Sequence, residues 1–408
     1  MAIIGMDIHR AFAEVVALEG KSRRRLGRIV MRCDRLAAFA AGLTKDDIVV
    51  VEATGNATAV AEVLAPHVGR VVIANPKQVR VIAYAKIKTD KIDAAVLAEL
   101  YASGFLPEVW IPDKDTLALR RQVTRRNQIV RQRTRLKNIV QSILHAHLIP
   151  AYPAGNMFGR KGRAWLAAQK LPEDERMAIE RHVREIDRLG EVLKVIQRDL
   201  AQYGLADLRV KRLMTVPGLD MIVATALVAA IGDVTRFGSP QKLVSYLGLN
   251  PSVRQSGSGP AYHGRISKQG PGRARGLLVE AAWAAARAPG PLRAFFLRIR
   301  ARRGQHVAAV ATARKLAVLV WHLLTKEQDY LWVRPALHAT KLRRLELTAG
   351  HAPARGQRGS AYDYNIKATR DQERRRVQQA EKIYERFVAG WNRNGPRVRT
   401  SAAKEERQ

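Results

Sequence analysis

Cysteine is all but missing from this 408-residue chain. Cys33 is the single one, which excludes an internal disulfide and leaves no thiolate cluster for a metal. Long apolar runs are missing too: no stretch reaches the ~18 uninterrupted apolar residues of a membrane span. The N-terminal MAIIGMDIHRAFAEVVALEG meets Asp7, His9 and Arg10 before a signal-peptide core can form. The expectation is a cytoplasmic, nucleoid-associated protein with no membrane partner. Acidic residues are the largest deficit, because 36 Asp and Glu face 71 Lys and Arg, a formal net charge of +35. Such an excess repels itself in the folded state and calls for a polyanion, nucleic acid before an anionic membrane.

What is present is ordinary for a globular protein, with 47% hydrophobic and 26% charged residues, and at roughly 150 residues per domain the length suggests two or three domains. Residues 1–115 alternate between β-branched runs (IIGMDIH, AEVVALEG, GRIVMRC, DIVVVEATG, RVVIANP) and helical runs (DRLAAFAAGL, ATAVAEVLAPHV, KIDAAVLAELYASG). That order predicts a mixed sheet flanked by helices. Residues 116–205 are expected to form an arm or coiled coil. Its first half is one long helix in which Arg120, Arg121, Arg125, Arg126, Arg131, Arg133, Arg135 and Lys137 face no acidic residue between 116 and 150. A solvated helix mixes its charge signs, so phosphate is the expected counter-charge. Residues 206–330 read as a mainly helical domain opening with LMTVPGLDMIVATALVAAIG, interrupted by a Gly-, Ser- and Pro-rich loop from Asn250 to Gly276. Residues 331–408 read as a basic extension of unknown role with one helix, RDQERRRVQQAEKIYERFVAGW.

Four carboxylates stand out. Asp7 sits inside the apolar run IIGMDIH, where an unpaired charge is expensive and a cation should compensate it. Glu52 ends the strand VVVE at a turn, and Asp90 and Asp93 in KTDKIDA project from one face at a helix start. Singly they read as caps and first-turn acids. Together they offer the oxygen ligands that a pair of hard divalent cations requires.

The segments GMDIHR, VVEATG, IANPKQVR, KTDKIDAAVLAEL, VPGLD, FGSPQKLVSYLGLNP and SGSGPAYHGRISKQGPGRARGLL resemble, in order, the DEDD transposases of bacterial insertion sequences, a family with the Piv and MooV DNA invertases and the bridge-RNA-guided recombinases. The resemblance implies a ribonuclease H-like, resolvase-like N-terminal domain whose acidic tetrad is Asp7, Glu52, Asp90 and Asp93, holding two Mg2+ or Mn2+ ions. It implies a helical transposase domain with a nucleophilic serine at Ser256, surrounded by Arg254, Arg265, Lys268, Arg273 and Arg275. The implied partners are donor and target double-stranded DNA, a structured non-coding RNA, and further copies of the chain in a dimer or tetramer with composite active sites. His263 departs from the family pattern and reads either as a proton-transfer aid or as a surface histidine. LMTVPGLDMIVATALVAAIG resembles a helix-hairpin-helix, whose turn at Gly218 would present backbone N–H groups to phosphate; an αα-hairpin without a ligand is the alternative.

The expected activity is strand cleavage and exchange through a 5′-phosphoserine link. A hydrolytic junction resolvase that uses the tetrad alone is the second reading. A non-enzymatic RNA-binding scaffold is the third, but it leaves Asp7 and the Asp90–Asp93 pair unexplained. An actin-like ATPase is disfavoured, because no glycine-rich phosphate turn follows the first strand.

Overall fold

A computed structural model describes residues 1–82, 89–257, 259–351 and 366–394, with the side chains of His263 and of residues 391–394 outside that set. The chain divides into two compact units, Met1–Asp113 and Lys114–Gln408.

The first unit is built on a six-stranded sheet in the order β3-β2-β1-β4-β5-β6. The strands are β1 (Ile3–Ile8), β2 (Phe12–Glu19), β3 (Ser22–Val30), β4 (Ile48–Glu52), β5 (Arg70–Ala74) and β6 (Glu108–Val109). β1, β2 and β3 are antiparallel, β4 and β5 run parallel to β1, and β6 closes the far edge antiparallel. Alternation along the strands separates the two faces. Ile4, Met6, Ile8, Ala13, Val15, Val49 and Val51 form one core with Leu36 and Ala40 of α1 (Cys33–Ala41) and Val60 and Leu64 of α2 (Ala57–Leu64). The opposite face carries Gly5, Asp7, Val16 and Val50 and receives α4 (Asp90–Ala102) through Ala94, Ala95 and Leu97. Gly5 permits that approach, since a Cβ there would stand 1.9 Å from the Ala94 carbonyl oxygen. A short α3 (Pro76–Ile82) precedes α4. The third strand begins earlier than GRIVMRC suggests. Glu19 pairs with Ser22 across a two-residue turn at Gly20, φ 59°, and pairing from that point draws Arg23, Arg24 and Arg25 into the strand.

The second unit is almost all helical. α5 (Lys114–Ala146) and α7 (Glu173–Ala206) form an antiparallel pair, flanking a small α6 (Arg160–Ala167). Val140 and Leu144 at the end of α5 share a core with Ile179 of α7, while Leu119 and Val123 at its start pack with Leu200. The main core adds α8 (Leu208–Leu213), α9 (Met221–Ile231), α10 (Pro240–Tyr246), α11 (Gly272–Arg287), α13 (Gln305–Lys326) and α14 (Pro335–Ala349). α12 (Pro291–Arg303) packs between α13 and α15 (Lys367–Asn394). α13 is long and apolar enough to cross a membrane by composition, yet its Ala313, Leu316, Ala317 and Val320 are core residues.

The stretch read as a loop from Asn250 to Gly276 is instead a β-hairpin, β7 (Pro251–Arg254) with β8 (Tyr262–Ile266), followed by the start of α11. Val253 and Tyr262 face solvent and Ile266 packs against the main core, so no apolar alternation marks the two strands. The basic extension holds two packed helices. Glu381 on α15 is 5% exposed and pairs with Arg293 of α12 at 2.6 Å. Residues 352–365 and 395–408 of that extension lie outside the described residues.

Candidate active site

Asp7 is the next-to-last residue of β1, on the face under α4, and is 7% exposed. Strand register decides its neighbours. On β2 it lies directly opposite Glu14, and cross-strand partners point to the same face. On the other side Met6 pairs with Val51 in parallel, so Glu52 follows Val51 as Asp7 follows Met6, about 4.8 Å away across the sheet. His9 continues the alternation two residues on; its Nε2 lies 3.2 Å from Asp7 Oδ2 and 3.3 Å from Asp90 Oδ1. Asp90 and Asp93 come from the first turn of α4, whose N-cap is Thr89, with its hydroxyl accepting from the Ile92 amide at 3.4 Å.

Burial pushes the Asp7 carboxyl above its ordinary range; His9 opposes the shift, and the charges of Asp93 and Asp90 add to it. Glu14 is held the other way, below the usual carboxylate range, by hydrogen bonds from Arg25 and Arg28. Two carboxylates facing each other across one strand pair are thus in opposite states of need. Glu14 has two guanidinium partners, whereas among the described residues the one basic partner of Asp7 is the His9 imidazole at 3.2 Å. The donor chemistry fits a divalent metal, since ligand atoms of Asp7, His9 and Asp90 all lie within 4.8 Å of one another. Carboxylate oxygens with one imidazole suit Mg2+ or, better, Mn2+. His9 and Glu14 were not among the sequence candidates. The i+2 spacing from Asp7 is the signal for His9; Glu14 needs the strand register.

Ser256 lies in the second unit, exposed in the connection between β7 and β8. Beside it Gly257 has φ 58°, and Gln255 Nε2 donates to the Gly259 carbonyl at 3.2 Å. The base of the hairpin is fixed firmly. Ser267 N donates to Asn250 O at 2.8 Å and Lys268 N to Gly248 O at 3.1 Å, while Arg275 caps Leu247 O at 3.0 Å. A Cβ on Gly248 would stand 2.0 Å from Gln269 O, and one on Gly270 1.9 Å from Tyr246 O. Ser258 and the side chain of His263 lie outside the described residues.

The sequence-predicted cations divide into two groups. Arg121, Arg125, Arg131 and Arg135 are exposed along one face of α5, and Arg254, Arg265 and Lys268 are exposed on and beside the hairpin. The rest are at least partly engaged within the fold. Arg120 donates to Ala229 O at 2.7 Å and Ala230 O at 2.8 Å, closing the C-terminal end of α9 together with Arg236 on Ile231 O and Arg209 on Gly232 O. Arg273 donates to the Thr124 hydroxyl, Arg126 to Asn127 Oδ1 at 3.2 Å, and Lys137 lies 5.2 Å from the Phe158 ring centre. Arg133 is partly buried on α5. Gly218, φ 88°, packs its α-carbon against α11, where a Cβ would stand 2.3 Å from Ala281 O.

Comparison with known proteins covers both units. A transposase family model for DEDD transposases of the IS110 type matches residues 4–149, and a model described as transposase of the IS116/IS110/IS902 family matches residues 210–297. The protein y4qE of Sinorhizobium fredii, which is named for a transposase, is 32% identical over 198 residues, 48% of each chain. The present chain thus spans about half the length of that relative. The transposase for insertion sequence element IS1111A of Coxiella burnetii is 25% identical over 338 residues, 80% of this chain and 91% of the other. The pilin gene-inverting protein of Moraxella bovis is 28% identical over 219 residues, 51% of this chain and 58% of its own. With the acidic cluster inside the first matched region and the serine hairpin inside the second, the chain belongs to the IS116/IS110/IS902 family of transposases.

Proposed function

We propose that this protein is a DNA transposase or site-specific recombinase of an insertion sequence, cutting and exchanging strands through a 5′-phosphoserine intermediate. The observation that carries the reading is the convergence of Asp7 with His9 and Asp90 at the end of the central strand. Strand order supports a ribonuclease H-like assignment: three antiparallel strands are extended by two parallel ones, with the acidic residues at the ends of β1 and β4. Asp7, Glu52, Asp90 and Asp93 would hold the divalent cations. When bound, these supply charge stabilisation at a phosphate that carries developing negative charge.

Ser256 Oγ attacks the phosphorus, forming an Oγ–P bond as the P–O3′ bond breaks. The hydroxyl proton passes to a base and the 3′ oxygen takes up a proton. The phosphodiester energy is kept in the serine link, so resealing needs no nucleotide. Exposure of Ser256 on a firmly anchored hairpin, with Arg254, Arg265 and Lys268 exposed nearby, supports this role. The cluster and the serine belong to different units, which is compatible with sites shared between the subunits of a dimer or tetramer.

Donor and target DNA are the expected substrates, and the exposed arginines of α5 and the turn at Gly218 are the expected backbone contacts. A structured guide RNA follows from the family resemblance, and action on cellular DNA would place the protein in the cytoplasm with the nucleoid. The deciding experiment denatures the protein after incubation with element-end DNA and Mg2+, trims the DNA with nuclease and maps the adduct by mass spectrometry. An adduct on the peptide containing Gln255-Ser256-Gly257 is expected. Cleavage without an adduct would instead favour a resolvase that uses water as nucleophile. RNA co-purifying with the protein tests the guide.

A further inference from the structure

β3 brings four arginines to the edge of the first sheet, and three of them are matched one to one. Arg23 pairs with Glu99, Arg24 with Glu19 and Arg25 with Glu14. Arg28 is the surplus. Its Nε donates to the second oxygen of Glu14 at 3.0 Å, although Arg25 already balances that carboxylate. Its guanidinium lies 4.4 Å from the centre of the Phe12 ring. These two contacts fix the plane of the fork. One terminal nitrogen is 3.8 Å from Asp90 Oδ2, beyond hydrogen-bond reach, and the side chain is 59% exposed. Among the described residues, the terminal nitrogens have no hydrogen-bond acceptor.

We propose that Arg28 is a catalytic residue, a guanidinium fork aligned by Glu14 and Phe12 that grips oxygens of the DNA phosphate brought to Asp7 and Asp90. The inference rests on the strand-cleavage reading above. Glu14 explains why the fork is buttressed. It is 1% exposed, lies directly opposite Asp7 on the neighbouring strand, and so ties the position of Arg28 to that of the acidic cluster. An arginine held by its Nε and by a ring face keeps its outer edge free, and that edge matches two phosphate oxygens.

The test uses the full chain with Mn2+ and thymidine 5′-monophosphate as probes, each titrated by calorimetry. Arg28→Ala should lower the affinity for the nucleotide, measured with Mn2+ present, at least tenfold. Its affinity for Mn2+ alone should stay the same or rise several-fold, because a cation next to Asp90 has gone. Arg28→Lys restores charge without the fork and should recover only part of the nucleotide binding. A residue that merely supported the fold would weaken both ligands together. Nucleotide affinity unchanged within twofold in Arg28→Ala, or Mn2+ affinity reduced tenfold, would overturn the proposal. If Asp7→Asn abolishes Mn2+ binding while Arg28→Ala leaves the nucleotide untouched, Arg28 alone is wrong. A wild-type chain that takes up no Mn2+ removes the metal reading and the role of Arg28 with it.

Discussion

The ammonium of Lys341, on α14, donates to the carbonyl of Leu219 at 2.9 Å, and the same nitrogen reaches Met214 O at 2.7 Å and Val216 O at 2.8 Å. Three carbonyls of the turn between α8 and α9 therefore converge on one cation from the C-terminal region. Burial pushes the Lys341 pKa down to about 8, against the opposing charge of Asp220.

Lys341→Met should destabilise the second unit by about 3 kcal/mol, because it leaves buried carbonyls without a donor. The pH dependence has a defined sign. Between about pH 8 and the ordinary value of 10.5, the unfolded chain holds a proton that the folded chain has shed. Stability of the wild type relative to Lys341→Met should therefore rise with pH across that window. Denaturant unfolding at pH 7.5 and 9.5 measures the difference, and a gap that narrows at the higher pH would contradict it.

Asp7→Asn should raise the melting temperature in metal-free buffer. The Asp7 pKa is raised in the fold, so folding is penalised as pH climbs through and above that range, and removing the charge removes the penalty. Mn2+ should then stabilise the wild type but not the variant. Calorimetric scans with and without metal decide this, and a variant that melts lower in the metal-free scan counts against a cation-seeking site.

Ser256→Ala should fold and bind nucleic acid as the wild type does, since the side chain is exposed. Covalent adduct and strand exchange should both be lost. Gel analysis of a radiolabelled substrate after denaturation gives the answer, and undiminished exchange would move the nucleophile elsewhere.

Replacing Arg121, Arg125, Arg131 and Arg135 together by Ala should flatten the salt dependence of DNA binding by about 3.6 units of log–log slope, near 0.9 per phosphate contact released. Arg120→Ala should leave that slope alone and lower the melting temperature instead, because it strips donors from Ala229 O and Ala230 O. Binding isotherms at several salt concentrations separate the two effects.

The sequence was most informative where local pattern and tertiary need coincide. The runs IIGMDIH and DIVVVEATG became β1 and β4, because apolar β-branched residues in a buried strand leave little choice. The acidic residues were readable one by one, yet Glu14 was not, since its place opposite Asp7 depends on register. His9 stands two residues after Asp7 in GMDIHR, so strand alternation is the signal for it in the sequence. Arginines on α5 looked alike in the sequence, and only packing separates Arg120, spent on a helix end, from Arg121, exposed on the next residue. The serine hairpin is hard to read because Val253 and Tyr262 are exposed and only Ile266 at its base packs against the core, which leaves no apolar alternation to reveal it. α14 did carry signals, Pro335 at its first turn and Gly350 with φ 100° at its end.

Gly5 lies two residues before Asp7, and α4 descends onto it until a carbonyl fills the space that a side chain would take. The separation between Asp7 on the strand and Asp90 and Asp93 on the helix is therefore gated by a single missing methyl group. A Gly5→Ala change would lift the helix and spread the carboxylates apart while altering none of them. In a screen for inactive variants, this position would score alongside the acidic residues, and chemistry alone would give no reason for it.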